Sequence, residues 1–294
     1  MHCKIPVARQ NGPWLPENPQ ATPVTLLRSV ILTIVGAALF AAAACHSPER
    51  EREAAPASEV RAALFDELKP VTLKNCDLKR YGGPNDGGYL MCGNLVQGTQ
   101  TLYSYGIDTE DNWGCQLSRQ LNVPVHQYDC FTEERPTCEK GLFVFHDECV
   151  GTRTETIDGN KFDTLPNQIA RNHDTTSRLI VKIDIEGAEW DSLLATPDAV
   201  LDRIEQMPME LHGVDEPRFL ELVRRLKTRF YLVNLHFNNY GCNAELAPMA
   251  SRAYQVLWVN KRVGVLDPDA PVPAPPSPLN APDSPELPDC QPAR

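Results

Sequence analysis

From about residue 101 onward, short apolar runs rich in β-branched and aromatic residues alternate with longer segments of helical period. Strands are expected at Thr101–Gly106, Pro124–Tyr128, Leu142–Phe145, Leu179–Asp184, Gln206–His212, Phe230–His236 and Tyr254–Val259, with helical segments between most of them. The clearest helix is Asp215–Lys227. There Phe219, Leu220, Leu222, Val223 and Leu226 form one apolar face, Asp215 is placed as the cap and Pro217 suits the first turn. Arg224, Arg225 and Lys227 suit its carboxyl end. Upstream, Glu59–Leu68 forms a short amphipathic pattern through Val60, Ala63, Leu64 and Leu68. Arg80–Cys92, with four glycines and a Pro-Asn-Asp step, predicts turns bounded by a strand at Tyr89–Met91. Strands alternating with helices predict an α/β fold: a mostly parallel sheet with helices on both faces.

Within this pattern the run LIVKID, Leu179–Asp184, is a buried strand that stops at an acid. Glu186-Gly187 then opens a helix whose Trp190, Leu193 and Leu194 share one face. An acid at the carboxyl end of a buried strand, just before a helix, sits where open α/β sheets place their ligands. In a strand Lys182 and Asp184 point to the same face, so Lys182 either pairs with Asp184 or reaches to solvent.

The nine residues KIDIEGAEW, Lys182–Trp190, resemble the fourth-strand motif of FkbM-type methyltransferases, which use S-adenosylmethionine and typically methylate hydroxyls. Further pieces resemble the animal-type branch of that group. They are RYGGPNDGGYLMC (Arg80–Cys92), LYSYGI (Leu102–Ile107), VHQYD (Val125–Asp129), ELHG (Glu210–Gly213), LHFNNYGC (Leu235–Cys242) and APDSPELPDC (Ala281–Cys290). The similarity spans roughly residues 70 to 290, with the pieces in the family's order. The resemblance implies a Rossmann-like class I methyltransferase fold with seven strands, the last antiparallel. It also implies S-adenosylmethionine as cofactor.

A nucleotide-type cofactor needs close backbone approach after the first strand and an acid for its ribose after the second. Gly106, followed by Ile107 and Asp108, is the candidate for the first task. The loop departs from a glycine-rich pattern, since only Gly106 and Gly114 are present among the acids Asp108, Glu110 and Asp111. Asp129 is placed for a ribose hydroxyl, with a helix cap or turn acid as the competing role. Asp147, after the third strand, is a candidate for the adenine end. Asp184 is the strongest catalytic candidate, able to orient an acceptor hydroxyl or take its proton. His212 and His236 each end an expected strand and have the right ordinary pKa range to hold or deprotonate a hydroxyl. Asn238 and Asn239 either bind a polar acceptor such as a sugar or make the turn. Glu186 and Glu189 are assigned to the helix amino terminus. Asp184, Glu210, His212 and His236 are a conceivable divalent-metal set. Their spacing is too long-range to test, and the favoured reading carries no metal.

Charge and the N-terminal region set the context. Net charge is −11 and no cluster of Lys or Arg forms a phosphate-tracking stripe, which argues against a nucleic-acid partner. Residues 29–44, SVILTIVGAALFAAAA, follow Arg28 and end in small residues at Cys45. This resembles an export signal, or a bacterial lipoprotein signal with Cys45 as the lipidated residue. The stretch is shorter than the roughly 20 residues a bilayer span needs, though a signal anchor reaching back to Val24 stays open. Residues 1–45 are therefore a leader that ties the protein to the membrane or exports it, and 46–59 a charged linker. Residues 60–266 are the methyltransferase-like domain and 267–294 a Pro-rich tail. Setting Cys3 and Cys45 aside leaves eight cysteines, an even number that suggests disulfides in an exported domain. No CxxC or close Cys/His pair favours zinc.

The expected activity is transfer of a methyl group from S-adenosylmethionine to a hydroxylated small-molecule or glycan acceptor. One fact stands against it, since the cofactor is made in the cytoplasm and the domain is expected outside. The rival reading is a non-catalytic extracytoplasmic binding domain on a methyltransferase scaffold. A hydrolase or nucleotide-triphosphate enzyme lacks its GxSxG elbow or Walker loop.

Overall fold

A computed structural model of the protein describes residues 56–132, 134–175 and 178–292. The leader 1–45, its apolar stretch and most of the linker lie outside the described residues. Among the described residues no helix is long and apolar enough to cross a membrane.

The described chain begins with α1 (Ala57–Glu67), inside the expected linker, and a hairpin of β1 (Leu78–Gly82) and β2 (Gly88–Cys92). Next come β3 (Thr101–Tyr105), α2 (Asn112–Leu121), β4 (Pro124–Asp129) and β5 (Leu142–Asp147). A small sheet of β6 (Cys149–Gly151), β7 (Glu155–Ile157) and β8 (Asn160–Thr164) precedes α3 (Leu165–Arg171). The second half holds β9 (Leu179–Ile183), α4 (Glu189–Leu194), α5 (Asp198–Leu201) and β10 (Ile204–His212). It ends with α6 (Pro217–Arg229), β11 (Phe230–Phe237) and β12 (Ala253–Asn260).

Seven of these strands form one sheet in the order β11-β12-β10-β9-β3-β4-β5. The pairs β3–β4, β4–β5, β3–β9 and β9–β10 are parallel, and β12 is antiparallel to both neighbours. All five residues of β3 and of β9 are buried, which is why apolar residues occur on both faces of these strands rather than alternating with exposed ones. Their side chains divide between two buried clusters. Tyr103, Tyr105, Val181 and Ile183 pack with Leu64 and Leu68 near α1, Trp190 of α4 and the α6 face of Phe219, Leu222, Val223 and Leu226. Leu102 and Ile180 pack with Trp113 and Leu117 of α2 and with Tyr81 and Met91 of the hairpin.

Two local expectations are corrected. Helix α6 starts at Pro217 with Glu216 as its cap residue and no side-chain capping bond. Asp215 is instead drawn into ion pairs with Arg61 at 2.5 Å and Arg252 at 3.0 Å, so tertiary charge pairing outcompetes capping. Glu186 and Gly187 have φ of 54° and 103° and form a left-handed turn, so α4 begins only at Glu189.

The eight domain cysteines form four disulfides: Cys76–Cys92, Cys115–Cys138, Cys130–Cys149 and Cys242–Cys290. Such a complement belongs to an oxidising compartment. The last bond ties the C-terminal segment to the domain. Asn239 donates to the Ser284 and Leu287 carbonyls at 2.9 and 3.0 Å, and Gln255 to Asp283 at 3.0 Å.

Candidate active site

Strand order reverses between β3 and β9, the position at which an open α/β sheet leaves a crevice at its carboxyl edge. A cavity of about 910 Å³ lies there, lined by residues that follow β3, β4, β9 and β10 together with Tyr89 of the hairpin.

Asp184 is the first residue after β9. Its backbone N–H still donates to Tyr105 at 3.1 Å, which carries the β3 register one step past the strand. The Tyr89 hydroxyl donates to Asp184 Oδ2 at 2.8 Å, and Lys182 Nζ lies 3.5 Å from the same oxygen. Lys182 is only 6% exposed, and it also donates to the carbonyls of Tyr105 and Gly106. Of the two roles the sequence leaves open for Lys182, pairing with Asp184 is the one adopted. Burial first, and the Asp184 charge next, hold the Tyr89 phenol well above its usual pKa, so it remains a donor.

His212 ends β10 on the other side of Asp184. Its Nδ1 is 3.2 Å from Glu189 Oε1, and the same oxygen accepts the His212 backbone N–H at 2.5 Å. Glu189 is fully buried, and its Oε2 accepts the Gly187 N–H at 2.8 Å. One carboxylate thus pins the left-handed turn after Asp184 to the end of β10. Trp190 reinforces the joint, donating its indole N–H to the His212 carbonyl at 2.6 Å. The other imidazole nitrogen, Nε2, stands 3.9 Å from Asp184 Oδ1, 3.6 Å from Glu186 Oε2 and 3.9 Å from Glu210 Oε1.

Burial would lower the His212 pKa. The hydrogen bond and charge of Glu189, with the charges of Asp184 and Glu210, outweigh it and raise the group to about 9. Glu210 is pushed up to about 8, by burial first and then by the Asp184 charge. These carboxylates favour the imidazolium form of His212, in which Nε2 can donate to an acceptor oxygen. Tyr89 and Lys182 engage Asp184 Oδ2, so Oδ1, 3.9 Å from His212 Nε2, is the oxygen left to accept from a hydroxyl.

On the opposite wall, Asp129 ends β4. Its Oδ2 accepts the N–H groups of Ile107 and Asp108 at 3.1 and 3.2 Å, and its Oδ1 those of Phe131 and Thr132 at 2.8 and 3.2 Å. Gly106 (φ 68°) is required by the fold itself, because a Cβ there would stand 1.6 Å from the Asp184 carbonyl oxygen. Gly106, Ile107, Asp108, Asp129, Asp184 and His212 all line the cavity.

Other sequence candidates are not brought to it. Asp147 is the exposed last residue of β5 and lines a separate depression with Arg135, Phe145 and Asn160. His236 is fully buried in β11, its Nε2 3.0 Å from Asp289 of the C-terminal segment. It secures that segment and leaves the proposed metal set without its fourth member. Asn239 is buried and holds the same segment, whereas Asn238 lines the cavity and donates to Glu210 Oε1 at 2.7 Å.

Sequence reasoning did not single out Tyr89, whose only mark is its place in a short strand after two glycines. It assigned Glu189 to a helix end. The acid two residues after Gly187 was the available signal, but its bond to His212 spans 23 residues.

No family model matches the chain, and no curated protein matches it significantly.

Proposed function

We propose that the protein is an S-adenosylmethionine-dependent methyltransferase acting on an acceptor hydroxyl. The observation that carries this reading is the cavity at the β3/β9 reversal, with Asp184 and His212 side by side on one wall, 3.9 Å apart. Three further features support it. The mostly parallel seven-stranded sheet, with an antiparallel strand next to its edge, is consistent with a Rossmann-like class I methyltransferase fold. The two buried clusters fit helices on both faces of the sheet. The KIDIEGAEW turn sits at the cavity, where the family resemblance implies it should.

The lining suits such a cofactor. Asp108, Glu110 and Asp184 offer negative charge to a cation, and Ile107, Tyr128 and Phe131 offer apolar surface to a base. The Gly106–Asp108 backbone and Asp129 are the groups that would hold it. S-adenosylmethionine, when bound, supplies an electrophilic methyl on a sulfonium. The chain's own part is to orient the acceptor, which accounts for much of such a barrier. His212 donates to the acceptor oxygen, Tyr89 and Lys182 fix Asp184, and Asp184 Oδ1 takes the hydroxyl proton.

Asp184→Ala should reduce methyl transfer to hydroxylated acceptors by about 10²–10⁴-fold, the usual worth of a positioned base. The circular dichroism spectrum should not change. Full activity in this variant would refute the assignment.

One observation favours the alternative, a non-catalytic binding domain on the same scaffold. Asp129 already accepts four backbone N–H groups, the full capacity of a carboxylate, so a ribose diol must displace or share one of them.

A further inference from the structure

We infer that the C-terminal segment Ala281–Cys290 is a strap that holds two walls of the cavity and is released by reduction of its disulfide to Cys242. The segment has no helix or strand of its own, so its position rests on side-chain ties and that one covalent bond. On one side it meets the turn between β1 and β2. Asn85 donates its side-chain amide to the Pro282 carbonyl at 2.8 Å, and the Asp86 N–H donates to the Asp283 carbonyl at 3.3 Å. On the other side it meets the loop after β11. Buried Asn239 accepts the Ser284 N–H at 2.8 Å and donates to the carbonyls of Ser284 and Leu287. His236 of β11 and Gln255 of β12 bind Asp289 and Asp283.

Both of the loops so held face the cavity. Asp86, Gly87 and Tyr89 line it from the hairpin, and Asn238, Tyr240 and Gly241 from the loop after β11. Tyr89 is the donor that fixes Asp184, and Asn238 is the donor to Glu210. In the sheet, β11 and β12 lie on the β10 side of β9, and β2 packs over β10 and β12. Gly106 and Asp129, assigned to the cofactor, stand at the ends of β3 and β4 on the other side. The strap therefore governs the part of the cavity left to the acceptor, an assignment that rests on the methyltransferase reading.

Exposure singles out this disulfide among the four. Cys242 is exposed, whereas the other seven bonded cysteines are buried or half-buried. Thiol–disulfide exchange needs access to one sulfur, so a reductant meets this bond before the others. A thiolate of a dithiol, of the kind carried by disulfide-reducing proteins, attacks the Cys242 sulfur and breaks the S–S bond. Cys290 leaves as a thiolate and takes up a proton. The second thiol of the reductant then displaces Cys242, so the reductant ends as a disulfide and the protein gains two thiols. Without the cross-link only noncovalent contacts hold the strap. Residues 285–288 are exposed, so little burial retains its middle and it opens locally. An oxidising compartment keeps the strap closed and a dithiol opens it, which makes the shape of the acceptor side depend on redox state.

The test is graded dithiothreitol treatment of the full, folded chain, followed by thiol alkylation and peptide mapping. Cys242 and Cys290 should be labelled about tenfold faster, or more, than the cysteines of the other three disulfides. Hydrogen exchange on the singly reduced protein should then quicken by about tenfold or more in residues 83–89, 238–242 and 281–290. It should stay unchanged at residues 106–108 and 129–132. Cys242→Ser combined with Cys290→Ser should reproduce that pattern without reductant, with a thermal melt as the check on folding. Earlier reduction of any other pair would overturn the proposal. So would exchange that quickens throughout the domain, or nowhere outside the strap. None of these readouts uses S-adenosylmethionine, so they stand or fall apart from methyl transfer, which is measured separately with the cofactor.

Discussion

Replacing Glu189 with Ala should destabilise the protein by about 4 kcal/mol. The side chain is fully buried and accepts from the Gly187 N–H, the His212 N–H and the His212 imidazole. Alanine leaves all three donors without a partner, in a place where water is excluded. Each such donor costs roughly 1–3 kcal/mol, and the loss of a buried charged partner alone costs about 3–5 kcal/mol. Because the three share one carboxylate they do not add independently, which places the total near the lower sum. In a domain of this size about 4 kcal/mol corresponds to a melting shift of roughly 8–16 °C. Urea denaturation with the disulfides intact measures it through the change in midpoint at constant slope. Glu189→Gln should recover part of the loss, since its carbonyl oxygen still accepts one or two of the bonds. A loss below about 1 kcal/mol in Glu189→Ala would refute the view that this carboxylate joins the β9 turn to β10.

Other consequences are as direct. Burial, followed by the nearby Asp86 charge, raises the Asp283 pKa from 3.8 to about 7. The folded state therefore holds this proton more tightly, and the associated stability is full below pH 3.8 and lost as pH rises through 7. Asp283→Asn, which keeps an acceptor for Gln255, should flatten the decline between pH 4 and 8 by roughly 2–4 kcal/mol. An unchanged pH profile would count against it. Cys290→Ser opens a bond with a sequence separation of 48 and should cost about 4 kcal/mol by loop-closure entropy. Non-reducing peptide mapping should find the pairs 76–92, 115–138, 130–149 and 242–290, and any other pairing would contradict the fold.

All seven strands of the main sheet were legible because burial on both faces, or on one, leaves its period in the apolar residues. The run LIVKID announced β9 and its terminal acid through local chemistry alone. What escaped depends on partners far along the chain. Asp215 looks like a helix cap until Arg61, 154 residues away, claims it. His236 and His212 are both strand-end histidines in sequence. Only the docking of Asp289, 53 residues later, separates the structural one from the one in the cavity. Gly106 carries a sequence signal for close approach. The group that approaches it, however, is the Asp184 carbonyl, which no local pattern reveals. Glu189 was assigned to a helix end because helix-terminus electrostatics is a local argument, whereas two of its bonds reach across to β10.

The central claim is tested most directly by calorimetric titration of the folded, oxidised full chain with S-adenosylmethionine and S-adenosylhomocysteine. The runs are made with and without Mn²⁺. Micromolar binding of both, with a single site per chain, is the expected result, and Asp129→Ala should weaken it. Absence of binding in protein with all four disulfides formed would contradict the methyltransferase reading and leave the binding-domain alternative.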